Sequence, residues 1–127
     1  MSVEQFHKEV SAGKRFEFGK NWKRFLRTIN DERIEKAELS LKTMLGVKSL
    51  EGKSFLDIGS GSGIFSLAAK NLGAKVFSFD FDELSVWCTS ELKSRFYKGD
   101  ASWTIVQGSV LDDDFLGTLG QYDYVYS

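Results

Sequence analysis

Lys53-Ser54-Phe55-Leu56-Asp57-Ile58-Gly59-Ser60-Gly61-Ser62-Gly63 is the stretch that decides the fold. Ser54 to Ile58 is a short apolar run with one carboxylate, Asp57, near its end. Gly59, Gly61 and Gly63 follow at alternate positions, and a helical apolar pattern then runs from Ile64 to Leu72 before Gly73 stops it. The stretch predicts a strand, a glycine turn and a helix in immediate succession. Glycines reach positive φ and bring no Cβ, so a ligand can approach the backbone closely. The helix N-terminus adds N–H groups that have no intrahelical acceptor. A nucleotide-like ligand is the natural occupant.

Working outward, Ala74 to Phe79 predicts a second strand, closing on Asp80. Strand, helix and strand in this order form a right-handed βαβ unit with parallel strands, whose C-terminal ends share one edge of the sheet. Ligands of open α/β sheets bind at that edge. A carboxylate there, Asp80, is placed to accept hydrogen bonds from both hydroxyls of a ribose. Asp82 caps a further helix over Glu83 to Phe96, on which Leu84, Trp87, Cys88, Leu92 and Phe96 form the expected core stripe. Trp103 to Val106 is a third strand, followed by a Gln107-Gly108-Ser109-Val110 turn, and Tyr122 to Ser127 is a fourth.

The glycine spacing separates the nucleotide classes. Dinucleotide-binding folds carry G-x-G-x-x-G, with a pyrophosphate on the helix N-terminus. Here the pattern is G-x-G-x-G, and Asp57 sets a negative charge at the mouth of the turn, which suits a cation better than a pyrophosphate. The run Asp57 to Gly63 resembles the first motif of the class I S-adenosylmethionine-dependent methyltransferases, Asp80 their second, the Gly108-Ser109-Val110 turn their third and the Tyr122–Ser127 strand their fourth. The resemblance covers about Phe16 to Ser127. It implies a Rossmann-like parallel sheet with flanking helices, of which this chain supplies the first four of seven strands, preceded by N-terminal helices.

It also implies S-adenosylmethionine as cofactor and S-adenosylhomocysteine as product. The implied binding residues are Asp57, Gly59, Ser60, Gly61 and Gly63 around the methionine end, Asp80 on the ribose, and Phe81, Ser109 and Val110 around adenine. Ser109 stands where the family usually carries an acidic residue. The fourth motif lacks the Asn/Asp-Pro-Pro-Tyr of many amino-group methyltransferases. A nicotinamide-dependent oxidoreductase shares the βαβ unit and Asp80, and a non-catalytic cofactor-binding or interaction module shares all four motifs; both remain open alternatives at this point.

The flanks bear on partners. Phe16, Phe18, Trp22 and Phe25 place four aromatics within ten positions. Packing against the core is the simplest role, with Phe18 and Trp22 the candidates for a lid over the cofactor. A helix from Asn30 or Asp31 to Leu45 buries Ile34, Ala37, Leu41, Met44 and Leu45, with Gly46 beyond its end. Residues 1–50 thus read as an N-terminal helical segment and 51–127 as the cofactor-binding part. Asp112, Asp113 and Asp114 read as helix-capping residues rather than metal ligands, since consecutive loop residues seldom converge on an ion. His7, the only histidine, reads as a solvated surface residue.

Composition sets the remaining bounds. The 127 residues are 42% hydrophobic and 28% charged with a formal net charge of −1. That balance offers no basic footprint for nucleic acid, so a small molecule is the expected methyl acceptor. No apolar run approaches the ~20 residues that span a bilayer. The single cysteine, Cys88, fits a reducing compartment, and a cytoplasmic location is expected. The chain closes on Ser127 straight after a strand-like run and reads as the front of a longer protein, inactive by itself. Its general base is unknown and expected near or beyond Ser127. The exposed edges of a half sheet predict self-association.

Overall fold

The structure, a computed structural model, describes residues 20–127. A helix over residues 20–28 (α1) leads into α2 (Asp31–Leu45), β1 (Ser54–Ile58), α3 (Ile64–Asn71), β2 (Lys75–Asp80), α4 (Glu83–Phe96), β3 (Trp103–Gln107), α5 (Asp113–Gly117) and β4 (Tyr124–Tyr126). Local chemistry sets most of these boundaries. The Asn30 side chain accepts from Arg33 N at the start of α2, and Gly46 closes that helix at φ 66°. Asp82 accepts from Leu84 N at 2.7 Å to open α4.

All four strands are parallel, in the order β3-β2-β1-β4. The chain steps outward from β1 to β2 to β3, then returns to the far side of β1. The strand order thus reverses at β1, and open α/β sheets bind ligands at the C-terminal edge beside such a reversal. Register fixes the faces. Phe55 lies beside Val76 and Tyr124, and Val76 beside Trp103. That face packs under α3 and α4, while α2 packs on α3. Leu41, Leu50, Phe55, Leu67, Cys88, Leu92 and Trp103 are fully buried in this core. The opposite face carries Phe79, whose ring meets Phe115 of α5 edge-on with centroids 5.0 Å apart.

Three expectations change. Trp87 and Phe96 of α4 are 37% and 44% exposed rather than core. The buried stripe of α4 is Ser85, Cys88, Thr89 and Leu92, because the small side chain of Thr89 is what fits against the backbone at Gly63. Met44 is also exposed; Leu45 joins the core at that end of α2 instead. The fourth strand is shorter than Tyr122–Ser127. Asp123 accepts from Ser54 N at 2.8 Å and from Ser54 Oγ at 3.2 Å, and its own N–H donates to Ser54 Oγ at 2.9 Å. Its side chain clamps the start of β1, and the ladder begins only at Tyr124.

Candidate functional site

The glycine turn is built by backbone geometry first. Gly59, Gly61 and Gly63 all sit at positive φ, 73°, 57° and 87°, where a side chain is strained. Gly59 N and Ser60 N both donate to Phe79 O, at 2.9 and 3.1 Å, which folds the turn over the end of β2. Gly63 has a second constraint: a Cβ there would lie 2.8 Å from Thr89 Oγ1 and 2.9 Å from Thr89 Cα. Thr89 Oγ1 also lies 3.1 Å from Ser60 Oγ and donates to Gly61 O at 3.3 Å. Thr89 is thus a structural member of the turn that sequence spacing did not single out, since mid-helix threonine carries no motif.

Asp80, at the end of β2, holds the turn from the other side. Its Oδ2 accepts from Gly61 N at 2.9 Å and its Oδ1 from Asp82 N at 2.9 Å. One carboxylate therefore links the glycine turn to the entry of α4. Each oxygen keeps a second lone pair.

Asp57 is the main departure from the sequence-based picture. Its carboxylate lies beneath the turn rather than at its mouth and is only 1% exposed. Asp57 shares its register position with Ser78 and Tyr126, so it faces α3, where Ser66 Oγ donates to its Oδ2 at 2.5 Å. Burial pushes its pKa up to about 6; the Ser66 hydrogen bond works against that rise and the nearby Asp80 charge adds to it.

A cleft of about 420 Å³ opens at the C-terminal ends of β1, β2 and β3, between Ile58-Gly59, Phe79 to Phe81 and Gly108 to Leu111, with Ser127 on its border. Its rim is apolar and open to water: Phe81 is 75% exposed, Val110 51% and Leu111 90%. Single exposed apolar side chains are ordinary; here three border one cleft. Gly108 leaves room for Phe115, whose ring would lie 2.3 Å from a Cβ at that position. Ser109 Oγ accepts from Leu111 N at 3.1 Å, which leaves the hydroxyl a second lone pair for a ligand amino group.

Trp22 of α1 lies against the glycine turn: its ring edge is 4.0 Å from where a Cβ on Gly61 would sit. Phe18, its companion in the sequence-based lid, and His7 lie outside the described residues. Asp112 caps α5, accepting from Phe115 N at 3.0 Å. Among the described residues, no three His, Cys, Asp or Glu side chains gather as a metal site, and no helix is long and apolar enough to cross a membrane.

Comparison with known proteins adds what geometry leaves open. The model of the ribosomal protein L11 methyltransferase family matches residues 35–105. A ribosomal protein L11 methyltransferase from Helicobacter hepaticus is 35% identical over 82 residues, covering 64% of this chain and 25% of that protein. One from Oceanobacillus iheyensis is 29% identical over 122 residues, covering 85% and 38% respectively. This chain thus spans about a quarter to two fifths of the length of these relatives. Among solved structures, magnesium protoporphyrin IX methyltransferase from Synechocystis PCC 6803 with bound S-adenosylhomocysteine matches with a TM-score of 0.58 at 20% identity, over 84% of this chain and 52% of that one. At that identity the likeness speaks for the fold. The relatives run against one expectation, that of a small-molecule acceptor: those proteins are named for a ribosomal protein. Net charge and the cofactor motifs carried no information on that choice, because neither reports the surface that meets the acceptor.

Proposed function

This chain belongs to the ribosomal protein L11 methyltransferase family, and on that premise we propose that it forms the S-adenosylmethionine-binding part of an enzyme that methylates a protein, with ribosomal protein L11 as acceptor. The observation that carries the reading is the placement of Asp80. It joins the glycine turn to α4 through Gly61 N and Asp82 N, both at 2.9 Å, and borders the apolar cleft. A nucleoside needs that combination: a carboxylate for the ribose hydroxyls beside an apolar slot for the base.

The residues divide the work. The remaining lone pairs of Asp80 take the ribose hydroxyls, while Phe81, Val110 and Leu111 enclose the adenine, with the Val110 N–H as a backbone donor. Ser60 and the turn from Gly59 to Gly63 receive the methionine end, and Trp22 covers it. The bound cofactor supplies a methyl group that is already electrophilic on its sulfonium. The protein therefore needs no covalent nucleophile; its part is orientation and exclusion of water. Asp57, buried under the turn, supports the turn's shape and gives the site a negative charge from below.

Calorimetric titration of the chain with S-adenosylhomocysteine and, separately, with NAD tests this. Binding of the first alone is expected. Asp80→Asn should weaken it by about tenfold or more, the loss of one charge-assisted hydrogen bond, with an unchanged circular dichroism spectrum. Binding of NAD alone would refute the reading.

A further inference from the structure

Four polar groups lie in a row beneath the glycine turn, and water reaches almost none of them. Asp57 is 1% exposed, and Ser66, Ser78 and Trp103 are 0%. Trp103 Nε1 donates to Ser78 Oγ at 3.0 Å, Ser78 Oγ lies 2.6 Å from Ser66 Oγ, and Ser66 Oγ donates to Asp57 Oδ2 at 2.5 Å. The order of protons in this row is forced. An indole N–H can only donate and an ionised carboxylate can only accept. Ser66 spends its one proton on Asp57, so the proton between the serines belongs to Ser78. Every proton points toward Asp57.

The row crosses the fold from β3 through β2 and α3 to β1. Ser66 is the third residue of α3 and Asp57 is the penultimate residue of β1. The glycine turn is the only chain between those two elements. A bond from Ser66 to Asp57 therefore fixes the distance that the turn must span.

We propose that Ser66, Ser78 and Trp103 are positioning residues that hold Asp57 ionised and so fix the glycine turn, making ligand affinity at the turn follow the charge on Asp57. This rests on the cofactor reading above. Charge-assisted hydrogen bonds are about twice as strong as neutral ones, so a protonated Asp57 slackens its hold on Ser66. Few other charges bear on the carboxylate. Asp80 at the end of β2 and Tyr126 of β4 interact with it, and Lys70, the one charged residue of α3, is engaged by Asp100 at 3.0 Å. The midpoint of about 6 for Asp57 puts the transition within reach of experiment.

The test follows the Trp103 indole N–H by nuclear magnetic resonance across pH in the whole chain labelled with nitrogen-15, with Trp103→Phe assigning the signal. Its shift is expected to trace the same midpoint as the Asp57 carboxyl carbon and to lose that dependence in Asp57→Asn and Ser78→Ala. Titration with S-adenosylhomocysteine runs alongside. One pH unit below the midpoint, wild-type affinity should fall about tenfold, the fraction of ionised Asp57, whereas Asp57→Asn should show no such dependence. A Trp103 signal that ignores the titration of Asp57, or that still follows it in Ser78→Ala, overturns the relay. Affinity that is equally pH-independent in wild type overturns its role in binding. Absence of binding at every pH overturns the proposed function together with that role, and the Trp103 signal then decides the relay alone.

Discussion

Replacing Asp57 by Asn should change the pH dependence of stability in a sense opposite to that of most carboxylates. Folded Asp57 keeps its proton up to about pH 6, whereas an unperturbed aspartate releases it near 3.8. Between these values the native state binds more protons than the unfolded one, so stability falls as pH rises. Below 3.8 both states are protonated and the effect vanishes; above 6 both are ionised and the deficit is complete. A difference of about two units at 1.36 kcal/mol each amounts to about 3 kcal/mol. Asn keeps the shape and an acceptor for Ser66 but never ionises. Its amide introduces a constant offset of its own, which cancels when two pH values are compared. Urea unfolding of both proteins, followed by circular dichroism at roughly pH 4 and roughly pH 8, should show the stability difference moving by about 2.5 kcal/mol in favour of Asp57→Asn at the higher pH. A difference that stays constant with pH, or moves the other way, would refute the burial argument.

Other changes test separate parts of the structure. Gly63→Ala should cost more than about 2 kcal/mol in urea unfolding, since the new methyl meets Thr89 at a positive φ; a neutral result would mean that α3 and α4 are not held at this approach. Cys88 is fully buried and its thiol is pushed up to about 12, mainly by burial. It should therefore resist an aromatic disulfide reagent in the native chain and react at once in urea; fast native labelling would contradict the core packing. Asp123 is held below the ordinary carboxylate range by the N–H and hydroxyl of Ser54. Its support of the β1–β4 pairing is present above the unfolded value and lost as pH falls through the lowered one, so amide exchange in β4 should accelerate in Asp123→Ala at neutral pH. Unchanged exchange there would show that the clamp does not hold β4.

The sequence by itself determined the local events. A five-residue apolar run, glycines at alternate positions and a helical stripe are short-range signals. They located β1, the turn and α3 because positive φ, capping and periodicity act within a few residues. The same holds for Asn30 and Asp82 as caps and for the parallel pairing of β1 with β2, which follows from the right-handed βαβ unit. The position of Asp80 beside the turn was legible because the length of the βαβ unit brings the end of β2 there.

Tertiary structure decided which way side chains point and what they already hold. Asp57 could have faced either side of β1; packing of α3 over that face, with Ser66 against it, buried the carboxylate. Thr89 and Leu111 entered the site without any motif, one through the close pass of α4 by Gly63 and the other through the turn after β3. Trp87 left the core for the same reason that Thr89 entered it: a helix has one narrow face to give, and the tightest contact, not the most apolar residue, chose it. Ser54 and Asp123 shortened β4 by a bond that spans 69 residues of sequence. Periodicity reports what a residue is able to bury. Where its hydrogen bonds go depends on atoms brought together only when the chain has closed on itself.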